Sequence, residues 1–163
     1  MIYNSLILSR LHYGNILWGG HPGSLIKLNK KALRAVANAG YNTHTNPIEK
    51  HFKLLSLPDI HQMKLLCLYQ KYLENKLPHY ISSMFENISL TEYPIYPNTI
   101  KYKNTIRFAL PTYLNTAPDI LLEKAKSVSF SCFKFNIKSY ILERYSSLCT
   151  TVGCGACNRK LRI

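Results

Sequence analysis

A chain of 163 residues, 47% of them hydrophobic, can bury a core, which excludes intrinsic disorder as a description of most of it. Its 21 Lys and Arg against 8 Asp and Glu give a net charge of +13, a self-repulsion best relieved beside a polyanion, with nucleic acid first and an anionic membrane surface second. No apolar run approaches the length of a spanning helix, and the start "MIYNSLILSRLHYG" has neither a basic leader nor a small-residue cleavage site. The expectation is an intracellular protein, nuclear or cytoplasmic, with no membrane partner.

In chain order, residues 2–13 predict a helix with Ile2, Tyr3, Leu6, Ile7 and Leu11 as its stripe, ended by the glycines and proline of "WGGHPG". Ser24 to Gly40 predicts a second helix, capped by Ser24 and stopped by Gly40. Its cations Lys27, Lys30, Lys31 and Arg34 recur at i, i+3, i+4, i+7 and share one side, uncompensated by any acid before Glu49. The apolar side is read as Leu25, Leu28, Ala32, Ala35, Val36 and Ala39. Asn46 with Pro47 and Glu49 reads as another helix start.

From Pro58 to Lys76 the pattern is the strongest in the chain. Leu65, Leu66, Leu68, Tyr69, Tyr72 and Leu73 point inward, and Lys64, Lys71 and Glu74 lie opposite. A short turn of helix, "PHYISSMF", follows, then a loop from Glu86 to Asn98. Beyond it the period changes to two: Ile100, Tyr102, Ile106, Phe108 and Leu110 alternate with Lys101, Lys103, Thr105 and Arg107, which predicts a small β-hairpin with a basic outer face. The last helix, capped by Ser129, has Phe130, Phe133, Ile137, Tyr140 and Ile141 inward and carries Lys134, Lys138 and Arg144. The fold class expected is mainly α: a helical bundle over 1–80, a loop and basic hairpin over 81–128, and a C-terminal helix with a cysteine tail over 129–163.

Catalytic patterns are absent. The aspartates, Asp59 and Asp119, are far apart and each follows a proline at a helix start, where a carboxylate faces free N–H groups; no adjacent acidic pair offers a two-metal site. The six histidines are scattered and read as surface or packed side chains. In the tail, Cys149, Cys154 and Cys157 form C-x4-C-x2-C, a spacing shared by zinc knuckles and plant-type iron–sulfur loops. Either needs a fourth ligand, Cys132 or a residue further on, and unpaired thiols are the alternative. The expectation is no cofactor, with zinc at these C-terminal cysteines as the exception to it.

What turns basic helices into a candidate nucleic-acid interface is repetition: Lys27, Lys30, Lys31 and Arg34 on one helix, Lys101, Lys103 and Arg107 on the hairpin, Lys134 and Lys138 on the last helix. Aromatic residues are interleaved, and Tyr41 and Tyr96 are candidates for stacking on bases.

The motifs in order resemble the carboxy-terminal, post-palm part of LINE-type (non-LTR) retrotransposon reverse transcriptases. The matching elements are "YGNILWGG" (Tyr13 to Gly20), "LNKKALR" (Leu28 to Arg34), "HTNP", "LLSLPDI" (Leu54 to Ile60), "KYLENKLP" (Lys71 to Pro78), "TIRFALPTYLNTAP" (Thr105 to Pro118) and "SFSCFKFNIKSYILERY" (Ser129 to Tyr145). Leu114 stands where that family usually has Trp, and the Tyr/Phe-x-Asp-Asp palm motif is missing. The resemblance implies a thumb-like bundle that grips template–primer RNA or DNA by its backbone, no catalysis in this chain alone, and an upstream palm domain as partner in a parent RNA-directed DNA polymerase. Other readings are a small basic helical protein-interaction module and a degenerate reading frame without activity.

Overall fold

The computed structural model describes residues 3–86 and 106–145. Among these residues the secondary structure is helical throughout, with no strand. A π-helical segment, Tyr3–Leu8, continues as α1 (Ser9–His12), followed by α2 (Asn15–Trp18), α3 (Ser24–Val36), α4 (Asn46–His51), α5 (Leu57–Leu73) and α6 (His79–Glu86). After the undescribed stretch come α7 (Ile106–Thr116), α8 (Asp119–Ser127) and α9 (Phe130–Glu143).

Helix α5 is the axis of the molecule. Ser56 caps it, its Oγ accepting from the backbone N–H of Asp59 at 3.4 Å, and Pro58 occupies the first turn, where a missing N–H costs nothing. Leu57, Ile60, Leu65 and Leu66 are 1% exposed or less, and His61, Gln62, Cys67 and Gln70 are buried on the remaining sides. A helix buried nearly all round must be covered on several faces, and α5 is packed by α2, α7, α8 and α9. The resulting cluster takes Phe85, Leu110, Leu114, Leu121, Phe133, Ile137 and Ile141, so side chains from all three expected segments share one core. A second, smaller cluster of Tyr3, Leu33, Ala37 and Ile48 joins the first segment to α3 and α4.

The expected β-hairpin is overturned where it can be followed. Residues Ile106 to Thr116, including Arg107, are helical, while Lys101, Lys103 and the turn near Asn104 lie outside the described residues. The apolar alternation of Ile106, Phe108 and Leu110 also fits a helix: burial falls on Ala109, Leu110 and Leu114 with Ile106 and Tyr113 packed beside them, spaced i, i+3, i+4, i+7, i+8. Packing against α5 outweighs the strand preference of Ile and Phe. Pro111 sits inside α7 and is buried.

Helix ends also differ from expectation. Ser24 is the first residue of α3, not its cap; Gly23, at φ 47°, holds that place without a side-chain bond. Gly40 is not the stop. Asn38 is, with φ 48°, its N–H bonded to Ala35 O at 3.2 Å and the N–H of Ala39 to Arg34 O at 2.9 Å. The same pair of bonds closes α4 at Lys53 (φ 51°) and α5 at Asn75 (φ 54°). These are Schellman closures, which require a left-handed residue just past the helix.

"YGNILWGG" finds a packing role. Gly14 turns the chain at φ 61°, Trp18 Nε1 donates to Tyr13 O at 3.0 Å, and a Cβ on Gly19 would lie 2.8 Å from His61 Cβ and 2.4 Å from Asn15 O. Only glycine lets α2 approach α5 this closely. Asn15 seals the contact, its Nδ2 donating to Leu57 O at 3.4 Å and its carbonyl accepting from His61 Nδ1 at 3.0 Å.

Candidate nucleic-acid interface

On α3 the cationic side is outward, and the packed side is not the one that hydropathy marks. Lys27, Lys30 and Lys31 are exposed. The buried residues are Asn29 and Leu33, with Ala37 just beyond, while Leu28 and Val36 are 58% and 49% exposed. Asn29 is buried because its Oδ1 accepts from Tyr3 OH at 2.6 Å, satisfying a polar group that would otherwise be costly inside. Arg34 departs from the other three cations: it is half-buried and its Nε donates to Thr43 O at 2.6 Å, fastening the loop after α3. Tyr41, on that loop, is 75% exposed; Tyr96 lies outside the described residues.

On α9, Lys134 is exposed and Lys138 half-buried. They meet cations from other elements. Burial lowers the His12 imidazole below its ordinary value, and the charges of Lys64, Lys134 and Lys138 lower it further. Burial and the neighbouring Lys134 depress the Lys64 ammonium as well, and its Nζ donates to the His12 carbonyl. Lys71 lies 5.0 Å from the centroid of the Phe130 ring, a cation–π distance. Thus α5 and α9 converge a positive group beside His12 of α1, and the sequence pattern places it only in part, through Lys134 and Lys138.

Residues 49–92 carry five acids against five lysines and so count as neutral, but two of those acids do not balance α5 in space. Glu49 is buried, and desolvation, with a small contribution from Asp59 against the relief from Lys30, lifts its carboxyl to about 7. Asp59 is committed elsewhere: it accepts from Ser56 Oγ at 2.5 Å, from Tyr145 OH, and from Arg144 Nη2 at 3.4 Å. Arg144 also reaches Gln62 Oε1 at 3.2 Å, and Lys50 Nζ donates to Tyr145 O at 2.7 Å. This knot ties the end of α9 to the start of α5, so Asp59 is a staple between helices rather than the cap expected, that place being held by Ser56. Asp119, in the first turn of α8, is on a different helix.

No group of three or more His, Cys, Asp or Glu able to hold a metal lies among the described residues, and Cys149, Cys154 and Cys157 lie outside them. Cys67 is buried, its thiol pushed up to about 11 by desolvation, and Cys132 is exposed. No described helix is long and apolar enough to cross a membrane. Comparison with protein-family models, with curated proteins and with solved structures gives no match.

Proposed function

We propose that this chain is the nucleic-acid-binding, post-palm part of a LINE-type reverse transcriptase, gripping template–primer backbone through its basic helix faces beside an upstream palm domain and performing no catalysis alone. The observation that carries this reading is α3. Lys27, Lys30 and Lys31 are exposed on a helix anchored by Leu33 and by the Tyr3–Asn29 bond. Cations held on a rigid rod at successive turns match a phosphate track and read no bases, which suits an enzyme that copies any sequence. The non-catalytic half of the proposal rests on the aspartates, which are on separate helices, one of them bound into the Ser56–Tyr145–Arg144 knot.

The test is salt titration of binding to an RNA–DNA duplex. Log affinity should fall linearly with log salt, and changing Lys27, Lys30 and Lys31 together to Gln should reduce the slope by up to about 0.9 per lost phosphate contact. Binding indifferent to salt, or a slope that the triple change leaves untouched, removes the grip.

A further inference from the structure

A pocket of about 250 Å³ opens between α1, α2, α5 and α9. Its floor is apolar, made by Ile16, Met63, Leu68 and the ring of Phe130, with the buried Cys67 among them. Its rim carries three ammonium groups, Lys64 and Lys71 from α5 and Lys134 from α9, beside the half-buried His12 imidazole from α1. The ion pairs between described residues are Lys76 with Glu74 and Arg144 with Asp59, and neither involves a rim residue. Four nitrogen-bearing side chains from three elements therefore surround one concavity with no carboxylate of the described residues answering them.

We infer that this pocket binds a nucleotide phosphate, with the phosphate among Lys64, Lys71 and Lys134 and the sugar or base on the apolar floor against Phe130. Charge and shape select this class. A carboxylate would bring a single negative charge to several cations, whereas a phosphate monoester brings about two and three acceptor oxygens. An inorganic anion would leave the apolar floor wet, and dewetting that floor adds affinity only to a ligand with a flat or apolar body next to its charge. The volume lies just under the range of about 300–1,000 Å³ that accepts drug-sized molecules, so it suits one nucleotide unit and not a length of strand. Burial, and after it the neighbouring positive charges, lower the proton affinity of His12 and Lys64, and an arriving dianion would offset the like-charge part of that cost. The inference goes beyond the strand grip and does not need it, because a free mononucleotide and the phosphorylated end of a strand present the same chemistry.

The experiment follows the ¹³C-methyl signal of Met63, assigned by its loss in Met63→Leu, in the full chain. The probes are AMP, inorganic phosphate, and a short deoxythymidylate strand with and without a 5′-phosphate. AMP should move the Met63 signal and bind more tightly than inorganic phosphate, and the Lys71→Gln/Lys134→Gln double variant, both exposed positions, should weaken AMP about tenfold or more. Displacement of AMP by the 5′-phosphorylated strand alone assigns the pocket to strand ends; no displacement by either strand assigns it to free nucleotides. A Met63 signal that AMP leaves in place overturns the inference, as does equal affinity for AMP and inorganic phosphate. If duplex binding stays steeply salt-dependent while Met63 is silent, the pocket falls and the grip stands. If AMP moves Met63 and no strand binds, the grip falls and the pocket stands.

Discussion

Helices α3 and α9 look alike as sequences, each an amphipathic segment with lysines down one side, yet they do different things in the structure. Helix α3 rests on a cluster of four buried side chains, Tyr3, Leu33, Ala37 and Ile48, and Lys27, Lys30 and Lys31 on it are exposed. Helix α9 drives Phe133, Ile137 and Ile141, each 0% exposed, into the main core beside α5, and this brings its lysines up against those of α5. The charge pattern of one helix tells which residues face water. Whether those residues converge with others is decided by the partner helix, which the pattern does not contain.

The largest effect that would break this contrast is on stability. Phe133→Ala should cost about 3–5 kcal/mol, because it hollows out the centre of the α5–α9 contact, whereas Leu33→Ala should cost nearer about 2 kcal/mol, since a cluster of four at the edge collapses more readily into the space left. Denaturant unfolding of both variants checks it. Equal losses would mean that the two clusters are equally constrained.

The two regions should also respond to pH in opposite senses. Glu49, in the first region, holds its proton to about pH 7 in the folded chain against an ordinary 4.5. Below pH 4.5 the carboxyl is neutral folded and unfolded and costs nothing. As pH rises from 4.5 to 7 the unfolded chain ionises first, so stability is lost, by up to about 3 kcal/mol. His61, at the α2–α5 contact, is the reverse. Burial lowers its proton affinity, although its bond to the Asn15 carbonyl opposes this, and its Nε2 has no partner. Its contribution is present above pH 6.5 and lost as pH falls. Glu49→Gln should therefore gain on the parent progressively between pH 5 and 8 in chemical denaturation, and a difference independent of pH would rule out a buried, protonated Glu49.

Much of this architecture can be read from the chain. Helix α5 declares itself through Pro58 and Asp59 at its start and a long apolar run, although its Ser56 cap shows only in the fold, and α9 through the spacing of Phe133, Ile137 and Ile141. Helix α7 does not, because Ile106, Phe108 and Leu110 satisfy a period of two and the small Ala109, which is buried, does not register as an inward residue. On α3, hydropathy credits Leu28 and Val36 and overlooks Asn29, whose burial depends on a hydroxyl twenty-six residues away. The rim of the pocket is hidden for a third reason. Lys64 and Lys71 sit in a stretch that counts as neutral, and only the fold shows that Glu49 is buried and Asp59 engaged.

A smaller effect separates Arg34 from the lysines beside it. Sequence spacing groups it with Lys27, Lys30 and Lys31, but its bond to Thr43 O makes it a brace for the loop. Arg34→Gln should lower stability by about 1 kcal/mol and leave the salt slope of duplex binding nearly intact, whereas the lysine changes should do the opposite. An Arg34 variant that flattens the slope with unchanged stability would return it to the phosphate-binding set.

The smallest effect compares the ends of the helices. Asn38, Lys53 and Asn75 close α3, α4 and α5 with the same backbone bonds at φ of 48°, 51° and 54°. Asn tolerates the left-handed region, since its short polar side chain bonds locally, while Lys pays the Cβ–carbonyl crowding that makes this region unfavourable by about 1–2 kcal/mol. Glycine would remove that crowding and return part of the gain as unfolded-chain entropy, so Lys53→Gly should stabilise by up to about 1 kcal/mol. Lys53 is exposed, so little packing is lost in the exchange. Asn38→Gly and Asn75→Gly should be close to neutral by the same reasoning. If all three substitutions shifted the thermal midpoint equally, side-chain identity would not matter at these closures, and the strain assigned to Lys53 would have to be given up.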